Sequence, residues 1–234
     1  MKKDHDFDEI INELNSKARP ENIEGMSKFG IKWDGRLGLS MPQLRSMGKS
    51  IGKDHSLALK LWATKIPDAM ILASLVDDPS EVTEQQAESW VKDIRSWDVC
   101  DQLCMNLFER IPFASKKIFE WSKRDEEYVK RVPYAMIACI AWHDKKAPDE
   151  LFTGFFPVIG DGATDKRNYV KKAVSWALRN IGKRNLNLNR QALELAGEIK
   201  NIDSKAARWI ASDVIRELES EAAQKRLKNK CNIE

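Results

Sequence analysis

The sequence predicts an all-α protein: a solenoid of antiparallel helix pairs of the HEAT type. Three observations carry this. There is no sustained apolar/polar alternation and no Asn-Gly hairpin signal, so strands are few or absent. Apolar residues recur at helical spacing in segments of roughly 10–18 residues, separated by short breaks marked by Pro or Gly. The segments come in pairs with a period near ~40 residues, the rhythm of stacked helical hairpins. No residue-level repeat accompanies that rhythm, so a compact irregular bundle is the alternative. No linker composition interrupts the chain, and residues 1–234 read as one domain with 1–20 and 225–234 peripheral.

Taken in order, Phe7, Ile10, Ile11 and Leu14 share one side of a first helix, which Pro20 interrupts. A short helix over 21–29 follows. The segment 30–39, with Gly30, Gly35 and Gly38, reads as a loop. Ser40 and Gln43 form a capping-box pattern that opens a helix to about residue 52; another covers 56–64, and Pro67 begins an apolar helix to Val76. Thr83 and Gln86 repeat the capping pattern for a helix to Asp93. The next helix carries Trp97 and ends near Pro112, and another covers 114–121. A helix over 126–142 contains Pro133, which marks its first turn or a kink. Helices are then expected over 150–159, with Gly160 to Gly162 as a loop, over 165–181 with Gly182 as the stop, over 189–199 and over 204–226. The basic tail 225–230 reads as frayed.

The 234 residues are 42% hydrophobic and 32% charged, an ordinary soluble composition. The strongest apolar runs, 69–76 and 134–142, are too short to span a bilayer. The N-terminus lacks the apolar stretch of a secretory signal, so a cytoplasmic location with no membrane partner is expected. Cys100, Cys104, Cys139 and Cys231 have no disulfide or metal pattern, and His5, His55 and His143 are scattered, so no metal site is expected.

Two constellations stand out. Trp97 and Asp101 lie four residues apart and share a helix face. An ionised carboxylate beside an indole is costly to bury alone, so Asp101 belongs either to a wet surface or to a cleft that uses its charge. The second spans 166–190. Lys166, Arg167, Lys171, Lys172, Arg179, Lys183, Arg184 and Arg190 give a local +8 with no acid, inside a chain of net charge +3. Such asymmetry suits a polyanion. Lys172, Trp176, Arg179 and Lys183 fall along one helix face, which fits a phosphate backbone with a base or sugar against the indole. The alternative is that Lys and Arg stems merely flank a half-buried Trp. Arg131 could clamp a phosphate, or pair with Glu127 one turn earlier.

Together these motifs resemble the DNA alkylation repair proteins of the AlkD type. The likeness rests on Trp97-Asp98-Val-Cys-Asp101, on Lys130-Arg131 with Tyr134, and on the block Val170 to Arg184, and extends over about 25–218. It implies HEAT-like repeats with a concave, basic DNA-binding face. It also implies a monofunctional glycosylase, without metal or cofactor, that excises cationic N3- and N7-alkylated purines from double-stranded DNA. By that resemblance Asp101 is the catalytic carboxylate, Trp97 and Trp176 hold the lesion's sugar-phosphate backbone, and Arg131 lies beside the site. Lys171, Lys172, Arg179, Lys183 and Arg184 contact DNA, and Phe29 stands where a Tyr is usual on an early helix. A monomer is expected. The alternative is a non-catalytic helical-repeat protein that binds damaged or branched DNA.

Overall fold

The computed structural model describes residues 6–231, all α-helical apart from one short 3₁₀ turn and the loops, with no strand among the described residues. His5 and residues 232–234 lie outside them. No described helix is long and apolar enough to cross a membrane. The described helices gather into two compact units that divide after Phe113.

The first unit contains α1 (Phe7–Ser16), α2 (Pro20–Lys28), α3 (Met41–Ile51), α4 (His55–Ala63), α5 (Pro67–Val76), α6 (Glu84–Asp93) and α7 (Trp97–Asn106). Its centre is α5, apolar on nearly every side and packed against α3, α4 and α7. Gln43 caps α3 as its spacing predicts, accepting from the Ser40 N–H at 2.9 Å. The second capping box is half formed. Thr83 Oγ1 accepts from Gln86 N, while the Gln86 side-chain amide turns away to donate to buried Asp77 at 2.7 Å. A second buried acid, Asp68, takes the backbone N–H of Leu37 at 2.8 Å and of Leu39 at 2.9 Å. That pins the glycine-rich loop 30–39 to the start of α5. From the other side, Arg19 N donates to Leu37 O, and the Asn22 side chain donates to Gly38 O.

The second unit contains α8 (Ala114–Trp121), α9 (Glu127–His143), α10 (Asp149–Thr153), α11 (Phe156–Gly162), α12 (Asn168–Gly182), α13 (Leu186–Lys200), α14 (Lys205–Leu218) and α15 (Glu221–Cys231). Here α12 packs on both α9 and α14. Contacts climb in step. Arg131 meets Tyr169, Asn180 meets Ala138 and Arg184 meets Ala141 between α9 and α12; Ser175 meets Asp213 and Arg179 meets Glu217 between α12 and α14. The separations are 38, 42, 43, 38 and 38 residues. The three helices therefore run parallel at a near-constant offset, which is the repeat period that element spacing predicts.

Several boundaries differ from expectation. The helix expected over 150–159 is two. Pro157 has no N–H to continue it, so it stops at Thr153 and restarts at Phe156. Gly160 and Gly162 are helical rather than loop. Gly162 is small because a Cβ there would sit 2.2 Å from Tyr134 Oη. Gly182 ends α12 as expected, but its reason is packing, since a Cβ would meet Leu218 Cδ1 at 2.4 Å. The final helix is also two, with α15 restarting after Ser220 and the Gln224 side chain covering Leu218 O at 2.8 Å. The tail 225–230 is thus helical.

Gly38 has φ +81°, and a Cβ there would lie 2.3 Å from Arg19 O. Gly38→Ala is expected to lower stability by at least about 2 kcal/mol, read as a shift in denaturant midpoint at unchanged slope.

Candidate functional site

In the first unit the site is built at the start of α7. Arg36, from the pinned loop, reaches the Asp98 carboxylate at 2.8 Å and is almost fully buried. Ser96 Oγ donates to the same carboxylate at 2.6 Å. Trp97 Nε1 donates to the carbonyl of Phe29, the residue that closes α2, at 3.1 Å. Two tethers of different chemistry therefore fix the first turn of α7, one ionic and one to a backbone oxygen. Asp101 stands one turn further on, partly buried like Trp97 and on its face. Phe29 itself projects outward at 76% exposure. The structure thus joins Phe29 to Trp97 through its backbone carbonyl and sets Asp101 one turn beyond Trp97. Arg36 and Asp68, which hold the arrangement, were not singled out from the sequence. An Arg inside a glycine-rich loop was the available signal.

In the second unit Arg131 is buried, and its guanidinium donates to the Tyr169 carbonyl in the first turn of α12. That bond braces α9 against the first turn of α12. Nearby, Asp165 is fixed by Arg167 Nε at 3.0 Å and lies 3.7 Å from Lys130. Burial works to raise the Asp165 pKa, but these cations outweigh it and hold the carboxyl below its ordinary value.

The cationic face of α12 divides in two. Residues 171, 175, 179 and 183 rise at four-residue steps alongside 209, 213 and 217 of α14. Lys171 Nζ lies 4.5 Å from the centre of the Trp209 ring. Ser175 donates to Asp213 at 2.7 Å. Arg179 pairs with Glu217 and lies 3.4 Å from Asp213, and Lys183 pairs with Glu217 at 2.7 Å. Arg184 donates to the carbonyls of Ala141, Asp144 and Ala147. The acids missing from 166–190 are supplied by α14, so the field there is well below the +8 of the isolated segment. Lys172 is exposed and Trp176 half-buried, together on the flank beside this ladder.

The family model for DNA alkylation repair enzymes matches residues 10–218. The chain belongs to the DNA alkylation repair enzyme family. A solved structure from a family of proteins related to the HEAT-like repeat DNA glycosylases, with affinity for branched DNA structures, has a TM-score of 0.73. It is 18% identical, with 91% of this chain and 95% of that chain covered. The fold is therefore that of the HEAT-like repeat glycosylase relatives. An engineered protein matches at TM-score 0.42 and 15% identity over 75% of this chain and 86% of its own. A designed armadillo repeat protein in complex with a basic peptide matches at 0.39 and 15% over 96% and 87%. No curated protein sequence matches the chain.

Burial tends to raise the Glu217 pKa, but its bonds to Lys183 and Arg179 prevail and lower it from 4.5. A carboxyl lowered in the folded state stabilises above its unfolded value and stops doing so as pH falls through the lowered one. Glu217→Gln should therefore be less stable than the parent near neutral pH. The two should converge in denaturant midpoint as the medium is acidified well below 4.5.

Proposed function

We propose that this DNA alkylation repair family member is a monofunctional DNA glycosylase that hydrolyses the N-glycosidic bond of cationic N3- and N7-alkylated purines in duplex DNA. The observation that carries the reading is Asp101 one turn after Trp97, on a helix whose first turn is held by Arg36 and by the Phe29 carbonyl. An alkylated purine already bears the positive charge that makes it a good leaving group, so no general acid is needed. As the C1′–N bond breaks, its electron pair goes to the purine, which leaves neutral, and positive charge develops on the sugar. A carboxylate fixed nearby stabilises that charge and orients the water that adds to C1′. Indole faces favour the same cationic sugar and exclude bulk water. In this reading Trp97 and Trp176 lie against the lesion's sugar-phosphate backbone, Arg131 positions the start of α12, and no metal or cofactor takes part. The protein acts as a monomer.

Lys172 contacts phosphate directly, whereas Arg179 and Lys183 reach it only by sharing Glu217. Lys172→Ala should weaken binding to all duplexes alike and lower the slope of log affinity against log salt by about 1. An unchanged slope removes Lys172 from the interface.

Asp101→Asn should bind methylated duplex as the parent does and release 7-methylguanine or 3-methyladenine about 10²-fold more slowly or worse. Excision at the parent rate would assign the chemistry elsewhere. The second reading, a binder of damaged or branched DNA without base release, is favoured by the branched-DNA affinity of the family that shares this fold. Tight binding by both proteins with no base release by either would select it.

A further inference from the structure

The second unit carries a pocket of about 300 Å³ at the C-terminal ends of α9 and α12, away from Trp176 and Arg131 along both helices. Its aromatic wall is Trp142, 58% exposed, second among the exposed large apolar side chains of the described residues. Lys145 Nζ lies 5.0 Å from the centre of that indole. Lys183 and Arg184 also line the pocket. Arg184 donates to the carbonyls of Ala141, Asp144 and Ala147, which caps the C-terminal end of α9 and offsets its negative dipole end. Asp149 is the pocket's single carboxylate, and it is already engaged by the side-chain amides of Asn185 at 2.8 Å and Asn187 at 2.9 Å. The pocket therefore combines a flat aromatic platform with a lysine ammonium over its face and an acid whose oxygens are taken up by amides.

The geometry points to a site for one unpaired nucleotide of a DNA strand. A base stacks on Trp142 in the place over the ring that Lys145 Nζ holds, and the ammonium it displaces meets its phosphate, with Lys183 sharing its charge between that phosphate and Glu217. A planar ring with an attached anion satisfies both features of the pocket, which a bare anion or an apolar group does not. The volume stands at the lower end of small-ligand sites, room for a single nucleotide rather than a duplex. This inference rests on the reading that the protein binds DNA, and it gives that DNA a place to present an unstacked end or displaced strand.

The test compares three ligands on the full chain: a blunt duplex, the same duplex with a four-nucleotide 3′ overhang, and free dTMP. The parent should prefer the overhang by about fivefold or more, the scale of one base stacked on an aromatic. Trp142→Ala should bring overhang affinity down to the blunt level and leave blunt-duplex affinity unchanged. Lys145→Ala should reduce the preference and its salt dependence. Trp142 and Lys145 are both exposed, so the variants should fold, and unchanged blunt-duplex binding checks this. Equal affinity of the parent for both duplexes overturns the proposal while leaving the DNA reading intact, as does a preference that survives Trp142→Ala. Binding of dTMP without any overhang preference overturns the strand assignment in favour of a free mononucleotide. Loss of all DNA binding by the parent overturns both readings.

Discussion

The first unit depends on a carboxylate that never sees solvent. Asp68 sits in the first turn of α5, where helix N–H groups favour a negative charge, and it receives two further N–H groups from the loop 30–39. A buried charge is tolerable only when it is so satisfied, because taking it from water unpartnered costs several kcal/mol. The consequence is geometric. With Leu37 and Leu39 fixed, Arg36 is carried to Asp98, and that pair anchors the turn that bears Trp97 and leads to Asp101. Charge in the core is thus converted into the position of two side chains on the surface. Breaking such a pair on one side is far more damaging than its net worth suggests, since the other charge stays buried alone.

The second unit applies the same economy to its cations. A helix with no acids across 166–190 would repel itself if left to solvent. Instead α14 runs parallel at the repeat spacing and sets Asp213 and Glu217 beside Ser175, Arg179 and Lys183. Where a repeat offset is constant, one complementary contact aligns the next, and the ladder follows. Cations held this way are pre-ordered for a phosphate but already partly neutralised. Affinity through them reflects an exchange of carboxylate for phosphate rather than capture by a bare positive patch.

Much of this was legible in the chain. Helical periodicity and Pro or Gly breaks located most helices, and Ser40 with Gln43 capped α3 as spacing implies. Trp97 and Asp101 share a face because the helix repeat requires it. The failures have specific causes. Pro157 split one helix by removing an N–H. Gly162 looked like a loop residue but is a helical one kept small by Tyr134. Gln86 fitted a capping box, yet its amide was taken by a buried acid that no local pattern announces.

By itself the sequence determined the helical class, the repeat rhythm and the membership that the Trp-Asp and Lys-Ala-Val-Ser-Trp blocks announce, because these depend on residues close together in the chain. Only the tertiary structure decided which charges are spent inside the protein. Arg36 with Asp98 spans 62 residues, and Arg179 with Glu217 spans 38. Coulomb attraction and desolvation act through space, so an acid-free segment can be partly neutralised in the fold, and an arginine in a loop can anchor the fifth helix after it.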